Sequence, residues 1–167
     1  MISHVSPKEP GWRKGERFIR VGSFALEASP ERIFRLLCPV REYDWLPGWS
    51  CTMVYSESGV AEPNAIFLTR HPFSPRLVWT LITYEPPRLV EYLVVSGVDL
   101  VMRLSIALAE AEGGATSVRW EMLFTTATRK GALATAREFS AERYEAMMHE
   151  RKRQLQSYLS REEVAQP

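Results

Sequence analysis

Residues 25–49 read ALEASPERIFRLLCPVREYDWLPGW, and the order of signals in this stretch decides the fold. A strand running through Ala25 and Leu26 meets Ser29, a residue suited to cap a helix, then Pro30, which fits a first helical position, and Glu31, which suits the positive end of a helix dipole. Ile33, Phe34, Leu36 and Leu37 then give one apolar face at helical spacing. Pro39 stops that helix after barely two turns, and VREYDW predicts a second short one that ends at Pro47-Gly48. Two indoles, Trp45 and Trp49, flank this bend. Tryptophan is a poor surface residue, so their placement calls for cover from the fold or from a guest molecule.

Working outward, RFIRVGSFALEA predicts a strand before the helices, with Gly22 as the site of a bulge. After the bend the period changes from helical to two. WSCTMVYS puts Trp49, Cys51, Met53 and Tyr55 on one face. Further strands are predicted over about 65–70, 76–84, 88–95 and 98–110, and another in TSVRWEMLFTTA. The last 30 or so residues lose the alternation and are rich in helix formers. Ser140 is the expected cap, and Tyr144, Met148, Arg151, Leu155 and Leu159 form a stripe facing the sheet.

One strand register follows from parity. The apolar sets Leu100, Met102, Leu104, Ile106, Leu108 and Val118, Trp120, Met122, Phe124 are all even-numbered, and opposed residues share a face. A three-residue loop, Glu112-Gly113-Gly114, therefore predicts Leu108 opposite Val118, Ile106 opposite Trp120, Leu104 opposite Met122 and Met102 opposite Phe124. Arg103, Arg119 and Glu121 then point to solvent together. The hairpin over 76–95 leaves two readings open. Leu77, Trp79, Leu81, Leu93 and Glu91 form one face by parity, and Val78, Ile82, Val90, Tyr92 and Val94 the other. The charge on Glu91 favours the second set as the inward one.

A strand, two short helices, about six antiparallel strands and a long final helix resemble the START/SRPBCC superfamily of helix-grip proteins, which includes polyketide cyclase/dehydrase-like and lipid-transfer-like members. The resemblance covers about residues 16 to 160. It is carried by the opening stretch, by YEPPRLVEYLVVSG and by FSAERYEAMMHERKRQLQSYL. It implies an α+β fold in which a curved antiparallel sheet of about six to seven strands wraps the long C-terminal helix, with a cavity between them. The expected organisation is a loose arm over 1–15, one domain over 16–162 and a short tail over 163–167. The family fixes no universal catalytic set, and fold alone does not give function.

Composition narrows the classes. The chain has 167 residues, 46% of them hydrophobic, and its 21 basic residues balance 20 acidic ones, so no global field draws it to nucleic acid or an anionic membrane. The basic run HERKRQ reads as an exposed helical face. The N-terminus lacks the apolar core of a signal peptide, and no apolar run approaches the ~20 residues of a membrane span. Two thiols, Cys38 and Cys51, suit the cytoplasm. His4, His71 and His149 are scattered without metal-ligand spacing, glycine-rich phosphate loops are absent, and no metal or cofactor is implied.

Three readings remain. The first is binding of a hydrophobic or aromatic small molecule by Trp45, Trp49, Met53, Tyr55, Met102, Leu104, Trp120, Met122, Phe124, Phe139, Tyr144, Met147 and Met148, a mixed Met and aromatic wall that equally suits a packed core. The second is a cyclase-, dehydratase- or hydrolase-like enzyme on an aromatic or polyketide-like substrate, with His71, Asp99 or Tyr55 as acid or base. The third is a protein-interaction module, which a large exposed apolar patch would mark.

Overall fold

The computed structural model describes residues 15–70 and 76–164. The arm over 1–14, His4, His71 and residues 165–167 lie outside the described residues. Strand β1 (Glu16–Leu26) leads into helices α1 (Pro30–Leu36) and α2 (Glu42–Trp45). Six strands follow: β2 (Cys51–Tyr55), β3 (Ile66–Thr69), β4 (Leu77–Glu85), β5 (Leu89–Ser96), β6 (Leu100–Glu110) and β7 (Thr116–Thr126). Helices α3 (Arg129–Glu138) and α4 (Ala141–Val164) close the chain. The strands form one antiparallel sheet in the order β1-β7-β6-β5-β4-β3-β2, and α4 packs against β1 and α2.

The β6–β7 register is the one parity predicts: Met102, Leu104, Ile106 and Leu108 face Phe124, Met122, Trp120 and Val118. Gly113 and Gly114 adopt φ of 70° and 79°, a region that glycine enters without steric cost. On the outer face, Arg103 and Arg119 meet Glu121 at 3.4 and 2.8 Å.

Gly22 is not a bulge, because the β1–β7 pairing runs through it unbroken, opposite Trp120. It serves close approach instead. A Cβ at Gly22 would lie 2.5 Å from Met148 Cγ, so the missing side chain lets α4 settle on β1. The Tyr144 hydroxyl donates to the Trp120 carbonyl at 2.7 Å one turn earlier, fixing the same contact.

Parity fails on β4 and β5. Both faces proposed for that hairpin mix residues from opposite sides. On β5 the inward set is Val90, Tyr92 and Val94, as the charge on Glu91 suggested, while Leu93 is exposed. On β4 the inward set is Leu77, Trp79 and Leu81, and Val78 and Ile82 face outward. The register there has an odd sum (Trp79 opposite Val94), and a bulge between Leu81 and Thr83 then shifts it so that Tyr84 meets Val90. A second bulge, between Met53 and Tyr55 on β2, turns Tyr55 off the face shared by Trp49, Cys51 and Met53. Tyr55 is 55% exposed, which corrects its expected inward placement.

Before the expected helix start at Ser140 the chain forms α3, which was not predicted. Thr128 caps α3, its hydroxyl accepting from the Gly131 N–H at 3.0 Å. Ser140 caps α4 as expected, accepting the Arg143 N–H at 3.3 Å.

Candidate functional site

The Pro47-Gly48 bend is held by its two indoles. Trp45 is buried and donates its Nε1–H to the Leu36 carbonyl at 2.8 Å. Trp49 donates to the Pro39 carbonyl, also at 2.8 Å. Each ring thus satisfies a carbonyl of the α1–α2 segment while covering the sheet end with its apolar body. Around Trp49 the inner faces of β3, β4 and β5 contribute a ring cluster. Phe67 and Trp79 stack with centroids 5.4 Å apart, and Tyr92 meets them edge-on at 5.8 and 6.0 Å. Trp49 closes the group at 6.4 Å from Trp79.

Beside this cluster lies a partly open cavity of about 570 Å³. Its wall is Phe34, Leu36, Leu37 and Cys38 from the α1 segment, Ala61 from the loop after β2, and Tyr84, Val90 and Tyr92 from the sheet. Arg32, Arg35, Arg41 and Glu162 form its polar edge. Two of these arginines are engaged: Arg32 pairs with Glu163 at 2.7 Å and Arg41 with Asp44 at 3.0 Å. The volume suits a drug-sized ligand.

Tyr92 ties the cavity to a polar pair outside its wall. Its hydroxyl donates to the Leu37 carbonyl at 3.0 Å, and its pKa is pushed well above the usual tyrosine value, by burial first and then by the charge of Glu42. Glu42, on α2, has its own pKa raised to about 8 by burial, against the opposing field of Arg151 on α4. Glu42 is half-buried and does not line the cavity. Its carboxyl is within the electrostatic reach of Arg151 but forms no ion pair with it at 4 Å or closer. Arg151 in turn has its pKa lowered by burial, the effect of Glu42 and Glu150 opposing, and donates to Gln154 Oε1 at 3.2 Å. Cys51 borders the same region. Burial raises its thiol pKa, and its Sγ lies 3.6 Å from the Pro39 carbonyl.

The residues expected to bind ligand are distributed over two regions. Met102, Leu104, Trp120, Met122, Phe124, Tyr144 and Met148 are buried together under α4, with Phe139 and Met147 partly buried against them. Trp45, Trp49 and Met53 sit at the opposite sheet end, and none of these twelve lines the cavity. Tyr55, on the surface, hydrogen-bonds Glu57 at 3.3 Å. Asp99, in the β5–β6 turn, accepts the Thr128 hydroxyl proton, and its carbonyl accepts the Ala127 N–H at 2.9 Å, which anchors the start of α3.

Glu42 and Arg151 were not singled out from the sequence, although a signal was there. Glu42 precedes the buried Trp45 by three positions, which puts both on one helix face. Arg151 interrupts an otherwise apolar stripe. Among the described residues no group of three or more His, Cys, Asp or Glu is placed to hold a metal ion, and no helix is long and apolar enough to cross a membrane.

No family model and no curated protein matches the chain. Solved structures do. Norcoclaurine synthase from Thalictrum flavum, in complex with dopamine and hydroxybenzaldehyde, aligns with a TM-score of 0.66 at 10% identity over 89% of each chain. Mll3558 from Rhizobium loti aligns with a TM-score of 0.60 at 14% identity, over 83% of this chain and 99% of that one. DynU16, from the dynemicin biosynthetic locus, aligns at 0.58 and 12% identity over 85% of this chain and 47% of its own. The chain has the helix-grip fold. At these identities the helix-grip likeness establishes architecture and carries no residue roles across.

Proposed function

We propose that this helix-grip chain binds a hydrophobic or aromatic small molecule in the space between its sheet and its helices. The observation that carries this reading is the cavity of about 570 Å³, whose wall of Phe34, Leu36, Leu37, Tyr84, Val90 and Tyr92 is apolar while its edge is polar. The norcoclaurine synthase structure, which holds two small aromatic molecules in the same architecture, supports it. Free Cys38 and Cys51 fit a cytoplasmic protein. Native mass spectrometry of the purified protein is expected to show a retained small molecule, and a panel of aromatic compounds to raise its melting temperature. No retained molecule and no shift with any compound would end this reading.

One observation favours a second reading, an enzyme acting on such a molecule. Glu42 on α2 lies within the electrostatic reach of Arg151 on α4, and a carboxyl with a pKa of about 8 holds a proton that it can give or take near neutral pH. Turnover of an aromatic carbonyl compound, lost in Glu42→Gln, would establish it. A bound compound recovered unchanged from every incubation would exclude it for that compound class.

A further inference from the structure

The cavity is apolar inside and cationic at its mouth, where Arg32, Arg35 and Arg41 meet one acid among the lining residues, Glu162. Two polar groups of the wall are already engaged. The Tyr92 hydroxyl donates to the Leu37 carbonyl at 3.0 Å, and Cys38 Sγ accepts the Ala61 N–H at 3.2 Å. A charged group on a guest would go without an ionic partner against that wall, and burying it unpaired is costly. The mouth does offer partners. Arg35, exposed in the last turn of α1, makes no hydrogen bond or ion pair among the described residues. Glu31, one turn earlier, senses its charge but forms no ion pair with it.

Glu162 stands between the other two cations. Its Oε2 lies 3.9 Å from Arg32 and its Oε1 3.9 Å from Arg41, while the Tyr158 hydroxyl donates to Oε1 at 2.8 Å. At that separation neither guanidinium hydrogen-bonds it. Their short contacts lie elsewhere, Arg32 with Glu163 at 2.7 Å and Arg41 with Asp44 at 3.0 Å. One carboxylate on α4 thus straddles the mouth between α1 and the start of α2, near both cations and bonded to neither. A guanidinium carries five N–H donors, so each of the three arginines keeps some for an anion that comes closer.

We infer that Arg32, Arg35 and Arg41 make the cavity mouth a receptor for an anionic group, so that the ligand is an apolar molecule ending in a carboxylate or a comparable oxyanion, for which Glu162 is the chain's own stand-in. This rests on the ligand-binding reading above and narrows it. Phe34, Leu37, Val90 and Tyr92 accept the apolar body, and the charged end stays at the rim in a charge-assisted pair with Arg35. Glu162 competes for the same cations and repels the incoming anion.

The test uses 2-naphthoate and its neutral isostere 2-naphthamide, titrated calorimetrically into the full chain and its variants at neutral pH and low salt. The wild type is expected to bind the naphthoate at least about fivefold more tightly than the amide, a preference that shrinks in about 0.5 M salt. Arg35→Gln, at an exposed position that the fold does not depend on, should remove most of that preference and leave the amide unchanged. Glu162→Gln takes away the competing charge and should tighten naphthoate about threefold, again without effect on the amide. Equal affinity of the wild type for the two probes, or a preference that either substitution leaves unchanged, would overturn the inference and leave a neutral-ligand cavity standing. Binding of neither probe would overturn both.

Discussion

The two ends of the sheet are built from similar side chains and use them differently. At the β1–β7–β6 end, Phe124 stacks on Phe18 at 4.8 Å and meets Phe139 tilted at 4.6 Å, Met148 fills the notch left by Gly22, and the pairing between strands is regular throughout. At the β5–β2 end, two bulges interrupt the ladder, and the adjoining α1–α2 segment leaves a cavity beside Tyr84, Val90 and Tyr92. Close to that end Glu42 of α2 and Arg151 of α4, both half-buried, come within electrostatic reach of each other. An apolar aromatic wall is thus not itself a sign of a binding site. Where the ladder is regular the wall closes on itself, and where bulges bend it the wall stays open.

If that contrast is right, the closed end carries stability. Phe124 is fully buried between two rings, so Phe124→Ala should destabilise the fold by about 3–5 kcal/mol in denaturant unfolding. A loss below about 1 kcal/mol would show that this end is loosely packed after all.

The open end should instead be limited by the half-buried acid beside it. Glu42 has a folded pKa of about 8, raised from 4.5, so the native state holds a proton that the unfolded chain releases between those values. Its contribution is therefore fully present below about pH 4.5, falls as pH rises toward about 8, and changes no further above that. The difference in stability between Glu42→Gln and wild type should grow by roughly 2–4 kcal/mol across this window, in favour of the glutamine. A constant difference would place Glu42 in solvent.

A smaller effect tests how α4 is seated. Gly22→Val puts a side chain into Met148 and should cost about 1–3 kcal/mol, with Met148→Ala restoring part of it in the double variant. The smallest comes from Tyr55→Ala, expected to stay within about 0.5 kcal/mol because that ring sits outside the β2 bulge. A large loss there would mean that the bulge does not turn it outward.

The same contrast separates what was legible in the sequence from what was not. Even-numbered apolar residues on both β6 and β7 fixed one register through parity, and Ser140, Pro30 and Pro39 marked helix ends by local chemistry. Parity assumes an unbroken ladder, so it grouped Leu93 with Trp79 and put Tyr55 beside Met53. Bulges shift a register by one residue, and nothing in the composition of Leu81-Ile82-Thr83 announces one. The aromatic and Met wall was readable as inward-facing. Whether it closes depends on helix placement, which a stripe does not encode. Glu42 went unnoticed because it looks like an ordinary surface charge until α2 and α4 face each other, and Arg151 was read only as one member of the stripe facing the sheet.

The most direct test of an unfilled interior is a map of backbone amide shifts by NMR while 2-naphthol is titrated into the protein. Saturable shifts clustered on Phe34 to Cys38, Tyr84 and Val90 to Tyr92 are the result expected of a guest in the cavity. No saturable shift, or shifts confined to the outer face around Arg103 and Glu121, would contradict it.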